Sequence, residues 1–325
     1  MSLQRIGFST AIALVVGVCV ALGSSTNLLA LLTQAIIYAV FAIGVGLLLR
    51  QNGMVSFGHA LFFGSAGYFI GILLQFKLMP AEAAIAVTLL ALTLMALVMG
   101  LVIVRVPGVA FGMLTLAIGQ MFYLTASRSR GLTGGSDGMS IDWPAMLFGL
   151  PMSQLVKPDV MFLICWVTLV VVVLLLALLL RTCFGSITEA VRDNEERARF
   201  IGIRTLLPRA AVYALSAAVT GVAGLLSALN TGFVSPENLH WSLSGVALMM
   251  VVVGGHKVLW GPALGAVVYF LAKDILGHYA DHWMAIFGIT LIAVIVFSPT
   301  GIAGALEKLV RGQGAPGILA RTLGH

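Results

Sequence analysis

Runs of twenty or more residues without a single charge recur along this chain, at 84–104, 106–127, 160–180, 210–236 and 283–306. Each is long enough to cross a bilayer as a helix, which takes about 20 mostly apolar residues. Between Arg5 and Arg50 there is again no charge, and the polar break Gly23-Ser24-Ser25-Thr26-Asn27 divides that stretch into two further spans. Lipid offers the backbone no hydrogen-bond partners, so such runs take the form that satisfies its own N–H and C=O groups, the helix. Composition agrees: 9% of the 325 residues are charged and 60% are hydrophobic, where soluble domains carry roughly 25% charged residues. The fold class expected is an all-α polytopic membrane protein.

Helices are predicted at 6–23, 28–49, 55–76, 83–104, 108–126, 160–180, 209–230, 243–255, 260–276 and 283–297, about ten spans (eight to ten), with both termini on one side. Segments 51–68 and 254–265 are rich in glycine and polar residues, so broken or re-entrant helices are expected there, which protein or a water cavity must cover. Residues 1–306 are expected to form the transmembrane domain and 307–325 a short tail. A secretory signal peptide competes for residues 1–23, because Arg5 precedes an apolar run ending in Ala21-Leu22-Gly23. The run is long for that role and another span follows at once, so an uncleaved first helix is expected. Cys19, Cys165 and Cys183 are widely spaced and suggest neither a disulfide framework nor a metal site.

The net charge of +6 is explained by orientation rather than by nucleic acid. Thirteen of the 18 lysines and arginines fall on the side of the termini, and five (Lys77, Arg128, Arg130, Lys157, Lys273) on the other. Basic residues gather on the cytoplasmic side, so both termini are expected there.

The longest hydrophilic segment on that side runs from Arg181 to Arg209. Ala190, Val191, Ala198 and Ile201 fall near one helical face, Arg192, Glu195, Glu196 and Arg199 elsewhere, and Gly202 supplies a stop. A solvated connector held by pairs such as Glu195 with Arg199 is one reading. The other comes from a resemblance. Glu189-Ala190, with a glycine thirteen residues after Glu189 at Gly202, resembles the cytoplasmic coupling loop of ATP-binding cassette importer permeases. A-V-R-D-N-E (190–195) with G-I (202–203) is similar to its form in the hydrophobic amino-acid uptake family. Four more stretches resemble recurrent blocks of that family in the same order: N-G-M-V-S-F-G-H-A-L-F-F-G-S-A-G-Y (52–68), L-T-G-G-S-D-G (132–138), G-F-V-S-P-E (232–237) and V-V-G-G-H-K-V-L-W-G-P-A-L-G-A (252–266). The resemblance covers about residues 28–306 and fits the second permease type of the branched-chain amino-acid importer better than the first. Two departures stand out. His256-Lys257 replaces a small residue and glycine, and P-T-G (299–301) replaces P-R-G.

What the resemblance implies is a bacterial inner-membrane pore built from this chain and a second permease subunit in a heterodimer. Two cytoplasmic ATPase subunits would hold ATP and Mg, and a periplasmic binding protein would deliver substrate. Within segment 186–204 it implies that Glu189, Ala190, Arg192, Asp193, Asn194, Glu195 and Gly202 couple to the ATPase. No G-x-x-x-x-G-K-[ST] loop occurs in the sequence, so ATP hydrolysis is expected on a partner, and no cofactor or catalytic cluster is expected on this chain. A secondary carrier or channel working without an ATPase is the alternative, although only His59 and Lys273-Asp274 approach membrane depth, thin machinery for ion coupling.

G-H-A-L-F-F-G-S-A (58–66) and G-H-K-V-L-W-G-P-A (255–263) share four identities and read as a weak internal repeat, parallel in this topology. Ser56, Gly58, His59, Gly64, Gly255 and Gly261 are the candidates for flanking a translocation path, with helix packing as the plainer reading of the glycines and of the histidine. On the opposite side, Gly134, Gly135, Asp137, Ser235 and Glu237 are candidates for docking a binding protein, the alternative for the 127–159 loop being a mobile turn. Branched-chain amino acids are the family default, with urea, amides and small acids as further substrates.

Overall fold

The computed structural model describes residues 3–279, 288 and 301–310; the expected span at 283–297, apart from residue 288, and the tail beyond 310 lie outside them. The chain is an all-α polytopic membrane protein. Helices α1 (Leu3–Gly23) and α2 (Thr26–Asn52) part at Ser24-Ser25, where the polar break predicts it. They are followed by α3 (His59–Gln75), α4 (Ala81–Ile103), α5 (Gly108–Arg128), the single-turn α6 (Arg130–Thr133) and α7 (Met152–Leu155), and α8 (Pro158–Leu179). Next come α9 (Cys183–Asp193), α10 (Glu195–Phe200), α11 (Leu206–Thr231), α12 (Trp241–Gly254), α13 (Gly261–Tyr279) and α14 (Gly301–Val310).

Two helices form the centre. About two-thirds or more of the most apolar stretch of α2 and α11 is buried, against less than a third for α4, α5 and α8. The inner pair needs small residues to meet: a Cβ on Gly44 of α2 would sit 2.5 Å from Thr220 Oγ1 and 3.0 Å from the Ser216 carbonyl of α11. Such close backbone approach is how helices gain packing energy where lipid is as apolar as the side chains. Helices α3 and α4 pack on α11, α13 and α8 pack on α2, and α1 lies outermost against α8, where Trp166 Nε1 donates to the Ala13 carbonyl at 2.9 Å.

The expected breaks are present, and their details follow hydrogen-bond supply. The helix predicted from residue 55 begins instead at His59, because 53–58 is irregular, with Met54, Ser56 and Gly58 buried. Its backbone finds hydroxyl partners: Phe57 N donates to Thr115 Oγ1 on α5 at 3.2 Å, Gly58 N to Ser56 Oγ at 3.2 Å, and Ala60 N to Ser244 Oγ on α12 at 2.8 Å. Ser56 and Ser244 are fully buried, so irregular backbone survives inside the bundle because protein supplies what water cannot. The gap expected between the predicted helices 209–230 and 243–255 is present at 232–240, where Leu239 seats against Gly64 of α3, and α12 begins at Trp241, slightly before its predicted start.

The segment 255–260 between α12 and α13 is likewise non-helical. Around it, side chains on Gly254, Gly261 or Gly265 would overlap the carbonyls of Gly261, Gly255 and Met250 respectively, and Gly301 at the start of α14 closes on Gly255. The two copies of the sequence repeat therefore differ in conformation. Its first copy is helical from His59, whereas its second stays irregular until Gly261.

Candidate functional site

One end of the bundle, here the proximal end, gathers α9 and α10 against the C-terminus of α2 and the N-terminus of α11. The single apolar face expected for 189–202 does not form, because Asn194 is extended (φ −158°) and caps α10, its side chain accepting from Arg197 N at 2.8 Å. The break resets the helical phase. Val191 and Ala198 turn inward, whereas Ala190, Phe200 (90% exposed) and Ile201 (71%) turn outward. The stop expected at Gly202 is a Schellman turn. Gly202 N donates to Arg199 O at 2.9 Å and Ile203 N to Ala198 O at 3.0 Å, with Gly202 at φ +87°, which only glycine adopts cheaply.

Inward residues clamp the segment. Thr188 Oγ1 donates to Gln51 Oε1 at 2.8 Å, and Arg192 Nη1 to the Arg50 carbonyl at 2.6 Å, a cation on the negative end of α2. Glu195 accepts from Thr205 Oγ1 at 2.9 Å and pairs with Arg199 and Arg209, each at 2.5 Å; Asn52 Nδ2 in turn donates to the Arg209 carbonyl at 3.0 Å. Partial burial alone pushes the Glu195 carboxyl up. The Thr205 hydrogen bond and the two guanidiniums outweigh that and hold it below the ordinary range. The expected Glu195–Arg199 pair is thus present, but the more buried partner is Arg209 on α11, which local spacing could not show. Glu189 and Asp193 remain on the outer face beside Arg192. His256 of the irregular 255–260 segment lies close by. Burial first, then Lys257, Arg192 and Arg50, push its imidazole below the ordinary range.

The six path candidates all lie inside the packing of this chain: Ser56 and His59 are fully buried, and Gly58, Gly64, Gly255 and Gly261 are buried as well. Gly58 fits against the Thr115 carbonyl of α5 and Gly64 against Leu239. His59 Nε2 meets Ser216 Oγ at 2.6 Å, and Ser216 Oγ donates to the Gly44 carbonyl at 2.6 Å, so the histidine pins α3 to the central pair. Its ring is edge-on to Phe62 and Tyr213.

At the distal end the two docking stretches meet. Met139-Ser140 pairs antiparallel with Phe233-Val234, and Ile141 N donates to the Gly232 carbonyl at 2.9 Å. Gly138 makes this possible, since at φ +75° its Cα lies where any Cβ would overlap the Val234 carbonyl. Asp137 and Glu237 are exposed on the joined surface, Gly134 and Ser235 are partly exposed, and Gly135 is buried beneath it. The 129–157 stretch is structured rather than a loose turn, with a second small ladder of Met146-Leu147 and Leu150-Pro151 that leaves Met146 and Phe148 outward.

Beneath that surface opens a cavity of about 350 Å³. Helix α2 contributes Gln34, Ile37 and Tyr38; α11 contributes Ser227, Asn230 and Thr231; the 233–238 stretch contributes Phe233, Ser235 and Asn238; and α13 contributes Phe270 and Lys273. Of the sequence candidates only Ser235 lines it. Lys273 stood out beforehand as a charge near membrane depth, whereas the amides escaped notice because Gln34 on α2, Asn230 on α11 and Asn238 in the 233–238 stretch form no local pattern; Gln34 and Asn230, polar residues inside uncharged runs, were the available signal.

Residues 27–295 match the model of a protein family described as branched-chain amino acid transport system, permease component. The high-affinity branched-chain amino acid transport system permease protein LivM of Salmonella typhimurium strain LT2 is 25% identical over 290 residues, which is 83% of this chain and 68% of that protein. LivM of Escherichia coli K12 is 24% identical over the same length. The autoinducer 2 import system permease protein LsrC of Salmonella paratyphi B is 32% identical over 157 residues, 46% of this chain and 45% of that protein. No solved structure matches. The coupling-loop pattern, the ordered glycine blocks and a family match over most of the chain converge: this multi-pass membrane protein belongs to the branched-chain amino acid transport permease family and is a transmembrane permease subunit of an ATP-binding cassette importer.

Proposed function

We propose that this chain forms half of a translocation pathway for branched-chain amino acids or related small polar solutes, driven by cytoplasmic ATPase subunits that grip the α9–α10 segment. One observation carries this reading: the segment is clamped on its inner side to α2 and α11, and offers outward a compact face of Glu189, Asp193, Glu196, Phe200 and Ile201. Exposed aromatic and aliphatic side chains beside charges are what a protein partner buries. A rigid connection to both central helices is what lets movement of that partner reach the membrane. The basic excess at this end supports a cytoplasmic position for it and for both termini. The distal ladder surface would then receive a periplasmic binding protein, and the second permease subunit would complete the pore across the exposed sides of the outer helices.

The test is a photo-crosslinkable residue at Phe200 in the assembled importer. A crosslink to the ATPase subunit whose yield changes with nucleotide supports the proposal. An assembled, transport-competent importer with no such crosslink at Phe200, Ile201 or Glu196 removes it.

A further inference from the structure

Resting on that reading, we infer that the distal cavity is a reception site for solutes bearing a carboxylate, held at Lys273, with their apolar part against Tyr38 and Phe270. The cavity, lined by Phe233 and Ser235, lies directly under the surface where Phe233-Val234 pairs with Met139-Ser140, so a solute released there meets it first. At about 350 Å³ it falls at the low end of ligand pockets, which run to about 1,000 Å³, and suits a solute much smaller than a drug. Its chemistry is uneven. Among the described residues, Lys273 is the one charged side chain of the lining and no carboxylate joins it. Lys273 Nζ stands 5.9 Å from the centre of the Phe270 ring, a cation–π contact that keeps the ammonium against the aromatic wall. Tyr38 and Phe270 lie with ring centroids 5.1 Å apart, making a continuous apolar face. The amides of Gln34, Asn230 and Asn238 offer both donors and acceptors, which serves an ammonium as well as a carboxylate.

A neutral solute such as urea gives Lys273 no counter-charge, whereas an amino acid or a small carboxylic acid does, and a charge-assisted hydrogen bond is roughly twice as strong as a neutral one. The cavity therefore favours amino acids and small acids over urea and amides, a choice that family membership leaves open.

The test uses the assembled importer in nanodiscs, with Cys19, Cys165 and Cys183 replaced by serine and a reporter cysteine at Asn230 or, separately, at Ser227. An anionic thiol reagent is expected to label the reporter faster than a cationic one, and Lys273→Met to abolish that preference while Lys273→Arg retains it. L-Leucine and isobutyrate are expected to slow labelling about ten-fold once at about nine times their Kd, from simple occupancy, with urea and isobutyramide without effect. Equal protection by urea, no protection by any solute at either reporter, or slowing only when the nanodisc lipid is anionic would each overturn the inference. Because protection is read without ATP, its failure is separable from failure of ATP-driven transport, which bears on the proposed function instead.

Discussion

Replacing Glu195 by glutamine keeps the shape of the proximal clamp and removes its charge. Two guanidiniums at 2.5 Å and one hydroxyl at 2.9 Å converge on this carboxylate. Its side chain is 32% exposed and that of Arg209 15% exposed, so the pair lies between two known regimes. Exposed ion pairs contribute up to about 1 kcal/mol, while removing one partner of a buried pair costs about 3–5 kcal/mol. Taking about 2 kcal/mol after discounting for solvent, the undocked α9–α10 segment becomes about thirty-fold more populated, since about 1.4 kcal/mol is a factor of ten. Hydrogen exchange reads this directly: the amides of Gly202 and Ile203, held by the Schellman turn, should exchange about thirty-fold faster if they open with the segment. ATP hydrolysis should persist while solute moved per ATP falls. Unchanged exchange together with unchanged coupling in Glu195→Gln would refute the clamp.

The same carboxylate sets a pH dependence. Its folded value lies below the ordinary 4.5, so the clamp is fully present above that pH and is lost as pH falls through the folded value; the protection of the Gly202 amide relative to a free amide at the same pH should be flat from neutrality down to about pH 5 and fall only in stronger acid. Gly265→Ala should be among the most damaging single methyl additions, because the new Cβ overlaps the Met250 carbonyl; a loss above about 2 kcal/mol is expected, visible as a lower melting temperature in detergent, and a wild-type melting curve would contradict the α12–α13 crossing. Gly138→Ala should part the two distal loops, at about 1–3 kcal/mol for a backbone (φ +75°, ψ −170°) that essentially only glycine adopts, and weaken capture of the binding protein without affecting ATPase assembly. His59→Phe should leave Ser216 without its ring partner and loosen α3 from α11, costing about 1–3 kcal/mol, while Ser216→Ala in the same background should cost less than it does in the wild type, only the hydrogen bond to the Gly44 carbonyl remaining to be lost, as a double-mutant cycle would show.

How much of this was legible beforehand depends on the distance over which each feature is determined. The spans among the described residues were, since twenty uncharged residues in lipid have few alternatives. The break after α2 was foreshadowed by Gly53, Ser56 and Gly58. Its C-terminal limit at His59 was not, because it depends on Thr115 and Ser244, hydroxyls from other helices. The coupling segment showed its termini but not its bend: Asn194 reads equally well as a helix interior or as a cap until Arg197 N is seen to bond to it. The inward turn of Glu195 toward Arg209 and the cavity of Gln34, Asn230 and Lys273 are products of packing between α2, α11 and α13, and no local pattern announces them.

The central claim is that an ATPase drives transport through the α9–α10 segment. Solute uptake into vesicles carrying the complete importer, measured with and without ATP for the wild type and for Gly202→Pro, tests it most directly. The account predicts uptake that requires ATP and the ATPase subunits, and that collapses in the variant while the spans still assemble. Uptake by this chain without ATP, or full ATP-driven uptake in Gly202→Pro, would contradict it.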